Sequence, residues 1–438
     1  MNLSDIKNFQ SISTDTRALQ PGDVFIALVG SNFDGHNFVE EAERKGAIAA
    51  VVNHDVNCSL SLIKTDDTFY ALGNLAELRR QQVAIPVVAI TGSCGKTTTK
   101  TMLASILNIC GETLVTQENL NNNIGVPLTL LGLTPKHDFA VIEIGANQVN
   151  EIAYSAKLTH PNVAVITNAA PVHLQGFSNL DGVAKVKGDI LQGLTEDGIA
   201  VLNADDEYFS FWQNLLRKGQ SYLSFAIHNK SDITATDITT NTQDTTCFIL
   251  HTPSGEQSIQ LSVIGEHNVM NALAAAASSC AVGVPLSAIK TGLETMQPVA
   301  RRMLHKFGRN HSIVIDDSYN ANPRSMDAAV RVLMQGSGEK ILVIGDMAEL
   351  GDLTEQYHRE LGVKAHTFGV HQLYAVGKYT PLTVETFGGK AYHFKNHNEL
   401  IAAVDDILKP NVTILVKGSK INRMWKIVDA LLETSENK

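Results

Sequence analysis

The sequence predicts an α/β protein of three domains, with a central, mostly parallel sheet flanked by a smaller α/β unit on each side in the chain. Three observations lead there. Strand-length apolar runs at 87–90, 139–144, 163–166 and 198–202 alternate with helical stretches, a pattern that gives parallel strands covered by helices. At 438 residues the chain is longer than one hydrophobic core supports. Finally, the run Val87–Ile90 passes directly into a glycine-bearing turn and then into a helical stretch, placing a loop at the carboxyl end of a buried strand, where α/β sheets bind ligands.

Composition narrows the class. A hydrophobic fraction of 44% with 18% charged residues belongs to a folded, globular chain. The net charge of −10 argues against nucleic-acid binding, although a local basic pocket can still hold an anionic ligand. Five cysteines, at 58, 94, 110, 247 and 280, form no C-x-x-C pair and are odd in number, which fits a reducing compartment. The stretch Met1–Lys7 has no apolar signal core, and no run approaches the ~18 apolar residues of a membrane span. A soluble, cytoplasmic protein without a membrane span is expected.

Residues 1–82 form the first unit, with strand-like runs at Asp23–Val29 and Ala47–Val52 and a helical pattern over Asn37–Lys45. Its polar clusters are Ser13–Arg17, Asn32–His36 and the Pro21-Gly22 turn. They read either as turns and caps or, around Arg17, as an anion-binding loop. Residues 83–297 form the central unit. Within it, 230–264 holds short β runs (Thr245–Leu250, Ser258–Val263) that suggest a hairpin-rich extension, and Gly265–Ala277 opens an alanine-rich helix explained largely by packing. Pro298–Arg302 reads as a linker into the third unit, 298–438, a Rossmann-like α/β domain with strand runs after Ser312 and Lys340 and at Gln372–Val376 and Val412–Val416.

The chemistry begins at Thr91-Gly-Ser-Cys-Gly-Lys-Thr97. Loop N–H groups and a helix N-terminus hold oxyanions, Lys96 adds a point charge, and the Thr97 hydroxyl can ligate Mg²⁺. This is a shortened phosphate loop: the general G-x-x-x-x-G-K-[ST] pattern needs glycine at 90, where Ile90 stands. The ligand it implies is a nucleoside triphosphate. Glu143 closes the run Phe139–Ile144, where a carboxylate is costly unless paired or metal-bound, and Mg²⁺ takes one or two carboxylates along with phosphates and waters. His173 follows another strand, but Mg²⁺ does not favour imidazole. Lys185 and Lys187 share a helical stretch whose default reading is a solvated face.

Six stretches in order, Thr91–Thr97, Asn121–Pro127, Glu143–Asn147, His267–Asn271, Asp317–Pro323 and Gly345–Gly351, resemble the signature series of the Mur ligases. The resemblance runs from Asp15-Thr-Arg17 to Lys417-Gly-Ser419, nearly the whole chain. Within the family it is greatest to the branch that joins D-alanyl-D-alanine to UDP-N-acetylmuramoyl-tripeptide, an ATP-dependent amide ligation in peptidoglycan synthesis. It implies a first domain for the UDP-sugar, a central one for ATP and metal, and a third for the base side of ATP and the dipeptide. It further implies Thr97, Glu143 and His173 as ligands of one or two Mg²⁺ ions, and a lysine carbamylated by CO₂ as another metal ligand, matched best by Lys187 with Lys185 as the alternative.

ATP would be held by Thr91, Gly92, Ser93, Cys94, Gly95, Lys96, Thr97 and Thr98, by Asn268 and Asn271 at the adenine, by Asp317 at the ribose and by Arg302 at the γ-phosphate. Lys96, Lys187, His173 and Arg302 form the expected catalytic set. Asp15, Thr16 and Arg17, the loop Asn121, Asn122 and Asn123, and Tyr319, Asn320 and Asn322 are the expected substrate contacts. A monomer is expected. Competing readings are a sister ligase that adds the third residue, folylpolyglutamate synthase, and a phosphate-loop switch NTPase.

Overall fold

A computed structural model describes residues 11–172, 174–241, 245–336 and 338–433. Three sheets of four or more strands organise them. The first is a small parallel sheet ordered Ile12–Ser13, Val24–Ile26, Ala49–Val52, Ser61–Lys64. Its middle strands are wholly buried because helix Thr68–Gln81 presents Ala71, Leu72 and Leu75 to them. Asp67 caps that helix by accepting the N–H groups of Phe69 and Tyr70.

The central sheet has nine strands. From one edge they run Thr113–Val115, Phe139–Glu143, Val87–Thr91, Val163–Ile166, Ile199–Asn203, Ser221–Ala226 and Ile233–Thr240, all parallel. An antiparallel pair, Thr246–Thr252 and Gly255–Leu261, extends the other edge. The hairpin extension expected at 230–264 is this pair. Both faces of the sheet are covered, so its middle strands read as unbroken apolar runs. On one face, helix Glu266–Ala281 buries Ala272 to Ala277 completely. These small residues let it lie close to helix Lys96–Leu107, whose Met102, Leu103 and Ile106 join the same core.

The third sheet is ordered Leu304–Phe307, Ile313–Asp317, Val412–Lys417, Glu339–Ile344, Gln372–Val376, Ala391–Phe394, parallel except for its first strand. Residues 296–303 between the second and third sheets form no helix or strand. Arg301 and Met303 there take left-handed backbone conformations, with φ of 61° and 55°. Helix Pro323–Gln335 follows the strand that ends at Asp317. Pro323 fills its first turn, and Asn322 and Ser325 close a reciprocal capping box. No helix among the described residues is long and apolar enough to cross a membrane.

Candidate active site

Three neighbouring central strands, Phe139–Glu143, Val87–Thr91 and Val163–Ile166, end side by side, with Ile90 opposite Glu143 and Thr91 opposite Ile166. Their carboxyl ends therefore deliver the phosphate loop, Glu143 and the Thr167-Asn168 pair to one place. Gly92 (φ 144°) and Gly95 (φ 83°) adopt backbone that side chains disfavour. A Cβ at Gly92 would also collide with the Thr167 hydroxyl, and one at Gly95 with the Asn271 carboxamide. Asn168 clamps the loop: its Oδ1 accepts the Cys94 N–H at 3.0 Å and its Nδ2 donates to the Cys94 carbonyl at 3.1 Å. Thr167 Oγ1 donates to that same carbonyl at 2.6 Å.

Lys96 opens the helix and folds back over the loop, donating to the Gly92 carbonyl at 2.7 Å. Burial lowers its pKa, and the cationic Arg302 pushes the same way against Glu143 and Cys94. Glu143 is almost wholly buried. Its Oε1 accepts from Asn121 Nδ2 at 2.7 Å and from Thr97 Oγ1 at 3.3 Å. Its Oε2 lies 3.3 Å from Lys100 Nζ and accepts no hydrogen bond. Lys100, one helical turn beyond Lys96, is itself fixed to the Thr116 carbonyl at 2.8 Å, while Thr116 Oγ1 accepts the Glu143 N–H. A hydroxyl beside a buried carboxylate whose second oxygen accepts no hydrogen bond is a donor set that fits Mg²⁺.

Lys187 lies at the end of helix Leu180–Gly188 with its side chain only 1% exposed. Its Nζ is 5.7 Å from the centre of the Phe177 ring and has no hydrogen bond or ion pair to a described residue. Burial, and then the charge of Lys96, bring its pKa down to about 7. Lys187 faces the cleft, whereas Lys185 is exposed to solvent.

The third domain closes the site. Arg302 Nη2 donates to Thr97 Oγ1 at 3.2 Å, and its guanidinium stacks 4.0 Å from the Tyr319 ring centre. Asn322 Nδ2 donates to Cys94 Sγ at 3.3 Å. Arg324 Nη1 donates to the Ala169 carbonyl at 3.1 Å. Asp317 is ion-paired with Lys417 and accepts the Met303 N–H at 3.2 Å. Between the two domains lies a cavity of about 1080 Å³.

Most expected site residues line this cavity: Gly92 to Thr98, Glu143, Lys187, Asn268, Asn271, Arg302 and Asp317, with Asn121, Asn122, Tyr319, Asn320 and Asn322. Thr91 stands behind it, fully buried and bonded to the Ile144 carbonyl. Asp15, Thr16, Arg17 and Asn123 are not among the lining residues. Arg17 instead pairs with Asp15 at 2.6 Å and holds that carboxyl down at about 2. His173 lies outside the described residues. Sequence reasoning missed Lys100, Thr116, Asn168 and Lys417. Lys100 had a legible signal in its four-residue spacing from Lys96 on one helix, and Lys417 stands in the Lys417-Gly-Ser419 stretch where the resemblance ends.

The chain resembles known proteins along nearly its whole length. Family models match in three consecutive segments: the Mur ligase family catalytic domain over residues 8–95, the Mur ligase middle domain over 90–279, and the Mur ligase glutamate ligase domain over 301–420. The UDP-N-acetylmuramoyl-tripeptide–D-alanyl-D-alanine ligase of Escherichia coli K12 is 44% identical over 425 residues, covering 97% of this chain and 94% of that one. A crystal structure of MurF from Acinetobacter baumannii superposes with a TM-score of 0.93 at 37% identity, covering 97% and 94% of the two chains. The MurF ligase of Thermotoga maritima, solved in complex with ADP, shares the fold with a TM-score of 0.85 at 23% identity, over 96% and 97%. The chain belongs to the Mur ligase family.

Proposed function

We propose that this chain joins D-alanyl-D-alanine to UDP-N-acetylmuramoyl-tripeptide at the expense of ATP, in the cytoplasmic assembly of the peptidoglycan precursor. The observation that carries this reading is the contact of Arg302 with Thr97. It brings a third-domain cation to the phosphate loop, where a second-substrate domain must meet the triphosphate. The name of the 44%-identical relative supports the same substrates, and the ADP held by the Thermotoga maritima protein supports the nucleotide. A switch NTPase would have no use for a third α/β domain built against the loop.

The reaction joins two anions, so charge is its first obstacle. The tripeptide carboxylate attacks the γ-phosphorus of ATP, ADP leaves, and an acyl phosphate remains. Loop N–H groups, Lys96 and Arg302 stabilise the charge on the transferring group, the main catalytic term in such reactions. The dipeptide amine then attacks the acyl carbon, loses a proton, and the tetrahedral intermediate expels phosphate. Acyl phosphates hydrolyse, and the third domain packed over the cleft excludes water from them. Thr97 and Glu143, with His173, would hold Mg²⁺, which supplies neutralising charge on the phosphates.

Lys187 supports a further step. With its pKa at about 7, much of it is the neutral amine at physiological pH, where a free lysine is protonated. Attack of this amine on CO₂, with a C–N bond formed and a proton lost, would give a carbamate, a carboxylate-like oxygen donor in the cleft that Thr97 and Glu143 also line. By the same reading residues 1–82 hold the UDP-sugar, 83–297 hold ATP, and 298–438 hold the base side of ATP and the dipeptide. All these groups belong to one chain, which supports a monomer. The test is purified protein with ATP, Mg²⁺, UDP-N-acetylmuramoyl-tripeptide and one of three acceptors: D-alanyl-D-alanine, a diamino acid or glutamate. Phosphate release and the ligated mass with the dipeptide alone are expected; ATP turnover without any acceptor would favour the switch.

A further inference from the structure

The third-domain wall of the cleft carries a positive charge that the protein leaves unmatched. Two carboxylates line that wall, and both are taken: Asp317 by Lys417, and Asp327 by Lys364 at 2.7 Å. Lys420 lines the same wall, and its Nζ makes no hydrogen bond or ion pair to a described residue. Its backbone is nevertheless fixed, since its N–H donates to Asn320 Oδ1 at 3.4 Å. Lys417 Nζ donates to the Asn320 carbonyl at 2.9 Å. The loop that carries Tyr319 and the loop that carries Lys420 are thus tied together at Asn320. A free ammonium on an anchored backbone, facing a cavity, is arranged for an anion.

Its position says which anion. Lys420 Nζ sits 5.9 Å from the centre of the Tyr319 ring, and the Arg302 guanidinium sits 4.0 Å from that centre. Arg302 also touches Thr97, the phosphate end of the site. Tyr319 therefore fixes a second cation one ring away from the point where the acyl phosphate forms. The incoming dipeptide is a zwitterion, and an extended two-residue chain spans about 7 Å. The two ring distances put Lys420 Nζ and the Arg302 guanidinium no more than about 10 Å apart, a gap of the order that an extended dipeptide bridges. Arg331 is another cation on the wall with no ion pair to a described residue, but it stacks on Phe368, and its neighbour Val332 lies beside Gly265. That sets it on the Gly265 side of the cleft, with its guanidinium held on Phe368 rather than on the Tyr319 ring that Arg302 shares with Lys420.

We infer that Lys420 binds the terminal carboxylate of the incoming D-amino-acid dipeptide and so sets where its amine points. The inference rests on the ligase reading above. It goes further by assigning the acceptor carboxylate to one side chain.

The test compares Lys420→Met and Lys420→Arg with the unaltered protein, using D-alanyl-D-alanine and its C-terminal carboxamide as acceptors. A charge-assisted contact predicts a rise of about ten-fold or more in KM for the dipeptide in Lys420→Met. KM for ATP should stay unchanged, and Lys420→Arg should recover most of the loss. The carboxamide should be a poor acceptor for the unaltered protein and suffer no further loss in Lys420→Met. An unchanged dipeptide KM, or an equal carboxamide penalty in both proteins, overturns the inference while leaving the ligase reading intact. Failure of the unaltered protein to ligate the dipeptide at all would sink the ligase reading itself. Because Lys420 is exposed, an unchanged melting temperature is expected and separates binding from folding.

Discussion

Arg302 Nη2 lies 3.2 Å from Thr97 Oγ1 although 205 residues separate them in the chain. The contact joins the third domain to the phosphate loop, and the same guanidinium rests on Tyr319. Arg302 is therefore oriented before any ligand arrives, which lets its charge act on the transferring phosphoryl group without reorganisation.

Arg302→Ala should lower kcat by about 100-fold, as loss of a single transition-state cation commonly does. The fold should be unaffected, since the residue belongs to the irregular linker rather than to a core. Steady-state kinetics with circular dichroism checks both points. A kcat within a factor of two of the unaltered protein would remove Arg302 from the chemistry.

Lys96→Ala should abolish ligation, because the ammonium bonded to the Gly92 carbonyl is the loop's own counter-charge for the triphosphate. Activity retained above ~10% would contradict the role given to it. The measurement is phosphate release at saturating ATP.

Lys187→Ala should be inactive, and added bicarbonate should not restore it. A short carboxylate such as formate or acetate should restore part of the activity by standing in for the carbamate head. The unaltered protein should lose activity in CO₂-depleted buffer and regain it when bicarbonate is returned. Full activity in Lys187→Ala would end the carbamate proposal.

Cys94 Sγ lies 3.3 Å from Asn322 Nδ2, between loop and third domain. A bulky maleimide on this thiol should block both ATP binding and the approach of the third domain, and ATP should protect the thiol from labelling. Mass spectrometry locates the adduct, and labelled Cys94 with unchanged turnover would refute the expectation.

Acid should weaken the third domain through His358. The ring is fully buried, with Nε2 accepting the Met347 N–H at 3.1 Å and Nδ1 donating to the Thr354 carbonyl at 2.7 Å, an arrangement that requires the neutral ring. Burial holds its pKa below the ordinary value. The unfolded chain therefore takes up the proton first, so this contribution is complete above roughly pH 6.5 and is lost as the pH falls below it. His358→Gln should cost stability at pH 7.5 and flatten the decline between pH 6.5 and 5 in thermal melts. A decline of unchanged steepness would place the acid sensitivity elsewhere.

The sequence made the central domain legible because its signals are local. A strand, two glycines and Lys-Thr occupy eleven consecutive residues, 87–97, and each strand end announces its own polar residue. What it hid are the partners that arrive from far along the chain. Lys417 meets Asp317 across 100 residues, and Asn168 clamps Cys94 across 74; an asparagine or lysine at a strand end gives no sign of which loop it will face. The choice between Lys187 and Lys185 depends on which side of one helix turns inward, and two residues on a helix point about 200° apart. The first domain was legible as an α/β unit. The pairing of Arg17 with its own Asp15 shows only in three dimensions.

The central claim is that the loop hands the outer phosphate of ATP to a carboxylate, and isotope transfer tests it most directly. With ¹⁸O in the acceptor carboxyl of UDP-N-acetylmuramoyl-tripeptide, unlabelled ATP and D-alanyl-D-alanine, one ¹⁸O should appear in each phosphate released. Ligated product accompanied by unlabelled phosphate would contradict the account.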